Sequence, residues 1–416
     1  VYDASARVKE DSPSLNDCLY AGPPLSPLIY DILLRFRSHK IALTADIEKA
    51  FLNVSVNETD RDFLRFLWVN DISNREPELC VYRFARVVFG VSASPFLLNA
   101  TIKYHLTRPE IYSDFSEEIL RSLYVDDFVG GSSCENSAFF KYKSLKLCFK
   151  KAGFNMRKWK TNSIELSNRI DKSEHPNQQN PEKQPAKSEI EEDDQTYSGS
   201  LFEKASSQSS AEVKVLGLRW DTERDLFIFK FEPCYSPVSK RDILKATARF
   251  YDPLGLLGPI TVLFKILLQS VCKSQVSWDD PLNPDIAKQW QVLANDLSET
   301  KAIAVNRYYV RDMSLAEASS IQIHGFADAS EMAYGAVVYL RVKTESGNVE
   351  TSLITAKTRV APIKGETIPR LELMGALVLA RLIDSVRCAF ENILRVDATY
   401  CWLDSMIALW WIRGLS

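Results

Sequence analysis

Ile119-Leu120-Arg121-Ser122-Leu123-Tyr124-Val125-Asp126-Asp127-Phe128-Val129-Gly130-Gly131 sets two adjacent aspartates between two apolar arms. Ile119, Leu120 and Leu123 lead into the tetrad Tyr124-Val125-Asp126-Asp127, and Phe128, Val129 and a glycine pair lead out of it. This pattern predicts a β-hairpin with the aspartates at its turn. Adjacent carboxylates repel one another, and a hard divalent ion such as Mg²⁺ is a natural partner for an all-oxygen site. A solvated Asp-Asp turn would look the same, so the rest of the chain must separate the two readings.

Working outward, residues 41–45 read as a strand that ends on Asp46 and turns into a short helical piece. A strand-end aspartate beside a two-aspartate hairpin is the arrangement needed to hold two metal ions. One ion would activate an attacking 3′-hydroxyl, and the other would steady the leaving pyrophosphate oxygens. Phe51 follows on the same short segment, placed either to lie under the sugar of an incoming nucleotide or to fill the core. Upstream, Leu28, Ile32, Leu33 and Phe36 recur at helical spacing over 27–37. Downstream, 61–69 and 79–84 predict paired strands, and Ser94-Pro95 opens a helix, since proline suits a first turn.

Beyond the hairpin, residues 137–152 predict an amphipathic helix capped by Gly153. Taken as a helix to residue 160, the stretch carries Lys141, Lys143, Lys146, Lys150, Lys151, Arg157, Lys158 and Lys160, interleaved with Phe139, Phe140, Tyr142, Phe149 and Phe154. Such interleaving suits a phosphate backbone; it suits a solvated face over an apolar core stripe equally well. Residues 161–212 are rich in Asn, Gln, Ser, Pro and Glu, a composition that predicts a disordered insertion. Order resumes with a strand over 213–220 and a second hairpin arm over 225–231, then helices over 240–250 and 260–271.

From 320 onward the pattern is β-β-β-α-β-α, which predicts a mixed sheet. Here lies a second carboxylate set: Asp328 at the end of the first strand, Glu372 in the first turns of the helix and Asp404 at the end of a later strand. Three acids so placed would converge on a two-metal hydrolytic centre.

The composition, 46% hydrophobic and 25% charged over 416 residues, is that of a globular chain with room for two to four domains. No apolar run is long enough for a membrane span. Eight scattered cysteines without a CxxC pair, and only four histidines, argue against a zinc site and for reduced thiols. The net charge of −3 hides a division: residues 165–212 hold 11 acidic and 5 basic residues, and the remainder is mildly basic.

Thr44-Ala45-Asp46-Ile47-Glu48-Lys49-Ala50-Phe51, Phe89-Gly90-Val91-Ser92-Ala93-Ser94-Pro95 and Tyr124-Val125-Asp126-Asp127 stand in the order of reverse-transcriptase palm motifs. Ala152-Gly153-Phe154-Asn155-Met156-Arg157-Lys158-Trp159 and Leu216-Gly217-Leu218-Arg219-Trp220 are similar to the two motifs that follow. Asp252-Pro253-Leu254-Gly255-Leu256-Leu257-Gly258-Pro259 and Thr367-Ile368-Pro369-Arg370-Leu371-Glu372-Leu373 narrow the resemblance to the polyprotein of BEL/Pao long-terminal-repeat retrotransposons. It covers essentially the whole chain apart from the acidic insert. The contexts of Asp328, Glu372 and Asp404 resemble ribonuclease H.

The resemblance implies an α+β fold: a fingers, palm and thumb right hand, then a truncated ribonuclease H-like α/β domain. The expected division is a fingers remnant (1–40), the palm (41–235), a thumb and connection region (236–318) and the ribonuclease H-like domain (319–416). It also implies that Asp46 and Asp126 ligate metal with Asp127 as accessory carboxylate, and that Asp328, Glu372 and Asp404 form the second metal set. Two Mg²⁺ or Mn²⁺ ions are expected per active site. Phe51 would be the steric gate against a ribose 2′-hydroxyl, and Gly90 and Ser94 would shape the nucleotide and template pocket. Phe89 stands where many retroviral enzymes have glutamine. Lys158 would contact the triphosphate or act as general acid, unless it is a solvated lysine. Leu216-Gly217 would form part of a primer grip, with Lys150, Lys151 and Arg157 on the nucleic acid. Asp3 and Leu15-Asn16 resemble the end of the fingers, whose triphosphate-gripping residues are expected before Val1.

The expected function is RNA-directed DNA synthesis with an associated ribonuclease H activity, on RNA template, DNA primer, RNA–DNA hybrid and deoxynucleoside triphosphates. The fourth acid of the ribonuclease H family is expected beyond Ser416, so weak hybrid cleavage and partly exposed Trp410 and Trp411 are expected. Other segments of the polyprotein are expected partners, with no membrane and an intracellular, cytoplasmic particle as the location, a nuclear phase included. Two rival readings remain: a relic that only binds nucleic acid, and a peptidase label carried over to the 252–259 region. No Asp-Thr-Gly or Asp-Ser-Gly occurs to support the latter.

Overall fold

The computed structural model describes residues 2–73, 77–111, 114–175, 212–231, 239–274, 276–311 and 313–414. Its first unit runs α1 (Leu15–Cys18), α2 (Ile29–Phe36), β1 (Ile41–Ile47), β2 (Arg65–Val69), β3 (Leu79–Arg83), α3 (Ser94–Thr107), α4 (Asp114–Ser122), β4 (Leu123–Tyr124), β5 (Asp127–Ser132), α5 (Glu135–Lys151), β6 (Met156–Thr161) and α6 (Ile164–Glu174). An antiparallel sheet of order β4-β5-β1-β6 forms its floor, and β2 and β3 make a separate ribbon.

Strand β1 is central because it is apolar on alternate residues and short of charge until its end. Ile41, Leu43, Ala45 and Ile47 pack into a core with Leu98 and Ile102 of α3 and Tyr142, Leu145 and Phe149 of α5. Ala42 faces the other way, into a core shared with α2. Period two then puts Thr44 and Asp46 on the Ala42 face, away from the α3 and α5 helices.

Several expectations are corrected here. The approach to the hairpin is mostly helix: Ile119 and Leu120 lie in α4, and β4 has two residues. The strand expected over 61–69 begins only at Arg65, after a 3-10 turn over Glu58–Phe63. The basic stretch to residue 160 is not one helix. Gly153 at φ +81° ends the turn after α5, and Arg157, Lys158 and Lys160 stand on β6. Lys141 and Lys146 are held by Glu118 and Glu174, so they belong to the fold more than to a phosphate track. The insert begins later than its composition implied. Ser163 caps α6 by accepting from the Leu166 amide, Leu166 and Ile170 are buried, and Glu174 accepts from Tyr142 and Lys146. The rest of that expectation, 176–211, lies outside the described residues. Ile170→Ala should cost ~2–5 kcal/mol of stability, the usual range for emptying a buried isoleucine site; a denaturant midpoint unchanged from the parent would show that α6 adds nothing to the core.

The second unit comprises β7 (Glu212–Val215), β8 (Leu218–Asp221), β9 (Leu226–Lys230), α7 (Lys240–Ala248), α8 (Gly258–Lys273), α9 (Pro284–Thr300) and β10 (Ala302–Asn306). The strand expected over 213–220 is a hairpin, because Leu216 (φ +47°) and Gly217 (φ +89°) make a left-handed turn inside it. The sheet order is β10-β9-β8-β7, so β10 joins residues on both sides of position 235. α9 and β10 lie outside the elements expected from the sequence.

The third unit is β11 (Ala318–Ala329), β12 (Ala333–Thr344), β13 (Val349–Val360), α10 (Ile368–Phe390), β14 (Ala398–Leu403) and α11 (Met406–Arg413). This is the expected β-β-β-α-β-α order, with β14 parallel to β11. Helix α10 lies on one face through Val378, Leu379, Leu382 and Ile383. A Cβ on Gly325 would collide with Leu379, so glycine permits the close approach of helix and strand. Trp410 and Trp411 are exposed, as expected.

The units meet at a buried arginine junction. Arg307 is fully buried and uses all its guanidinium hydrogens. Its Nε and Nη2 donate to both oxygens of Asp225 (2.6 and 2.7 Å), and Nη1 and Nη2 donate to the carbonyls of Phe36, His39 and Lys40. Arg37 donates to the carbonyls of Asn306, Arg307 and Ile354 while lying 4.4 Å over the Tyr309 ring. Arg307→Met would leave the Asp225 carboxylate without its cation and take a donor from the Phe36, His39 and Lys40 carbonyls. Breaking such a pair costs about 3–5 kcal/mol, which chemical denaturation would register as a lower midpoint.

Candidate catalytic carboxylate centres

Asp46 pairs directly opposite Asp127 across β1 and β5, and the Ile47 amide donates to the Asp126 carbonyl (3.0 Å). Directly opposed residues share a face, so Asp46 and Asp127 project from the same side of the sheet. Only Val125 and Asp126 lie between β4 and β5, and Val125 takes φ +57°. A β-branched residue in the left-handed region is strained. The hairpin bears that strain at the position that fixes Asp126.

The three acids are coupled electrostatically. Burial, with the Asp46 charge next, pushes the Asp126 carboxyl up to about 6. Burial, then Asp126 and Asp46, pushes Asp127 up to about 7. Asp46 is also raised, chiefly by burial, against the opposing pull of Lys158 and Arg157. A set of partly buried acids that disfavour their own charge is the donor chemistry a hard cation matches.

Lys158 reaches this set through a β-bulge. Between Thr44↔Lys160 and Asp46↔Arg157 the β6 strand has one residue more than β1, and Lys158 there takes φ +53°. Bulges of this kind re-aim side chains beside active sites. Lys158 Nζ lies 3.6 Å from Asp46 Oδ2, and Arg157 Nε lies 3.7 Å from the same oxygen. Arg157 also pairs with Glu48 (3.3 Å), so it faces the acids and not outward solvent. Glu48, which the motif reading passed over, accepts from Asn155 Nδ2 (2.7 Å); this hydrogen bond leads the causes that hold its carboxyl low.

The pocket residues divide. Phe51 is buried in the core, edge-to-face on Phe89 with centroids 4.8 Å apart, so the packing alternative describes its present surroundings. Ser94 is buried with its hydroxyl donated to the Val88 carbonyl (2.7 Å); it shapes the loop from beneath and does not present its hydroxyl to a cavity. Gly90 lies at φ +94° where a Cβ would collide with the Tyr2 carbonyl. Asn16 ties that loop down by donating to the Gly90 carbonyl (2.9 Å) and accepting from the Ser92 amide (2.8 Å). Tyr2, Asp3, Asn16, Gly90, Ser92 and Pro95 line a cavity of about 680 Å³ here. Lys150 and Lys151 are exposed in the last turn of α5, and Leu216-Gly217 forms the β7–β8 turn.

The second set gathers more tightly. Among the described residues, Asp328, Glu372 and Asp404 form the one group of three metal-capable side chains with ligand atoms within 4.8 Å of one another. β11 brings Asp328, the residue after β14 is Asp404, and α10 brings Glu372 on its buried face. Glu372 Oε2 is buried with no hydrogen-bond partner among the described residues. Burial and the charges of Asp404 and Asp328 raise its carboxyl. An orphaned oxygen between two other acids fits a divalent ion.

The 252–259 region holds no protease aspartate arrangement. Asp252 accepts from the Leu256 and Leu257 amides (2.9 and 2.6 Å) and so ties down the turn that precedes α8. No helix of the described residues is long and apolar enough to cross a membrane.

Residues 11–219 match the family model for reverse transcriptase (RNA-dependent DNA polymerase), and residues 239–405 match that of the Pao retrotransposon-like RNaseH-like domain. No curated protein matches the chain. Among solved structures, the foamy viral protease-reverse transcriptase dRH in complex with double-stranded DNA is similar at a TM-score of 0.50 and 14% identity, over 95% of this chain. The chain spans 56% of that protein. A foamy viral protease-reverse transcriptase in complex with RNA/DNA hybrid gives 0.47 and 14%, over 92% of this chain and 41% of the other. At such identity the first likeness is one of fold.

Proposed function

Since this chain belongs to the reverse transcriptase (RNA-dependent DNA polymerase) family, with a Pao retrotransposon-like RNaseH-like segment behind it, we propose that it extends a DNA primer on an RNA or DNA template and cuts the RNA of RNA–DNA hybrids. The observation that carries the polymerase reading is the pairing of Asp46 against Asp127 beside the strained turn that holds Asp126. Asp46 and Asp126 would hold two Mg²⁺ or Mn²⁺ ions, with Asp127 as accessory carboxylate. When bound, such ions polarise phosphoryl oxygens and lower the pKa of an attacking hydroxyl.

The chain's own groups supply the rest. Lys158, aimed by its bulge, contacts the triphosphate or holds the proton that the leaving pyrophosphate takes. The 89–95 loop, pinned by Asn16, walls the nucleotide pocket, and Phe51 supports it as the gate residue. Lys150 and Lys151 meet phosphates of the duplex, and the Leu216-Gly217 turn grips the primer. Asp328, Glu372 and Asp404 would hold the ions of the hydrolytic centre.

The division into fingers (1–40), palm (41–235), thumb and connection (236–318) and ribonuclease H-like domain (319–416) fits this scheme, as does a cytoplasmic retroelement particle with other polyprotein segments as partners. Extension of a labelled primer with deoxynucleoside triphosphates and Mg²⁺, with Asp126→Asn as control, tests it. Equal extension by parent and control would overturn the site, and no extension by either would overturn the activity.

A further inference from the structure

Residues 252–259 take no part in either carboxylate centre, yet with Tyr251 they touch both the β7–β8 turn and the sheet that carries Asp328. At one end Tyr251 donates its hydroxyl to the Leu216 carbonyl (2.8 Å), and a Cβ on Gly217 would lie 2.6 Å from Tyr251 Cε1. Burial first, and the phenol of Tyr124 second, raise the Tyr251 phenol above its ordinary range. At the other end the Leu254 carbonyl accepts from the Ala356 amide (3.1 Å) and the Thr355 hydroxyl (2.7 Å), both on β13. Strand β13 is the edge of the third sheet, so this contact also covers an open edge. Gly255, at φ +71°, approaches the Ala356 carbonyl so closely that a Cβ would collide with it. The span between the ends is stiff, because Asp252 accepts from the Leu256 and Leu257 amides within the loop and Leu254 is fully buried.

We propose that residues 251–258 form a strut that positions the β7–β8 turn against the ribonuclease H-like sheet, with Tyr251 and Gly255 as its positioning residues. The turn is a pair of left-handed residues at a hairpin tip, and Tyr251 ties it to a loop already bonded to β13. A displacement at one end therefore reaches the other through a contiguous hydrogen-bonded path. The assignment of the primer terminus to this turn rests on the polymerase reading; the strut itself does not.

Tyr251→Phe removes one hydroxyl and keeps the ring. Loss of one hydrogen bond should raise KM for primer-template roughly two- to tenfold while kcat stays nearly level, the signature of lost ground-state positioning. Amide exchange should also accelerate at 355–358, the far end of the strut. Gly255→Ala should accelerate exchange at 215–218 in turn. Circular dichroism checks that each variant folds, and Tyr251→Phe decides alone if Gly255→Ala does not. Exchange changes confined to the substituted end would overturn the strut. A parent chain that extends no primer would count against the polymerase reading only, because the exchange comparison needs no activity.

Discussion

Asp126→Asn is expected to lower Mg²⁺-dependent primer extension by more than ~100-fold, beyond the 10–100-fold that outer-shell partners of a metal typically contribute, and to raise the melting temperature of the metal-free chain. Both effects have one cause. Asp126 and Asp127 lie half-buried beside the buried Asp46, and their carboxyls are pushed up to about 6 and about 7. A group whose charged form is disfavoured in the fold weakens the fold once the pH passes its unfolded value. Asparagine keeps the shape of the turn and removes one of the three repelling charges. The activity falls because a neutral amide is a poor ligand for a hard cation, and the fold gains because the repulsion is gone. Extension retained at the parental rate would remove Asp126 from the site. A lowered melting temperature would mean that the carboxylate supports the turn in some way beyond its charge.

Glu372→Gln should abolish Mn²⁺ binding at the second centre, and with it any cleavage of RNA in a hybrid, again by more than ~100-fold for loss of a direct ligand. Glu372 alone of the three acids is buried, and its Oε2 has no partner among the described residues. Glutamine fits the same space and turns an unmatched acceptor into an amide facing Asp328 and Asp404. Electron paramagnetic resonance of Mn²⁺ reads the binding without needing turnover, and release of labelled RNA reads the chemistry. The metal-free variant should melt higher than the parent, since the neighbouring charges that raise the Glu372 carboxyl no longer act on it. Unchanged Mn²⁺ binding would dissolve the assignment of this centre.

The sequence by itself determined whatever depends on a few neighbouring residues. Period-two apolar runs and a charged end located Asp46, Asp328 and Asp404 at the ends of strands. The strand and helix order from 320 onward located Glu372 in the first turns of α10, and Gly153 marked the close of α5. These signals are local, because backbone dihedrals and caps are set within a turn or two. Where local signals conflict, composition misleads. Ile119 and Leu120 suit a strand or a helix, and the helix prevailed as α4, which left only Leu123 to the strand. The polar residues around Leu166 and Ile170 read as disorder until α5 and β6 gave those two side chains a surface to bury.

Only the tertiary structure decided what depends on residues far apart in the chain. The bulge that turns Lys158 toward Asp46 exists because β6 runs one residue long against β1. The junction of Arg307 with Asp225 joins residues 82 positions apart, and Arg37 reaches Ile354 across 317. Such a buried cation is stable only when several strands and turns aim carbonyls at it together. The two carboxylate centres could be listed residue by residue from motifs, whereas the tightness of one and the strain of the other came from packing. A sequence states which groups are present, and the distance between them is set by the whole chain folding onto them.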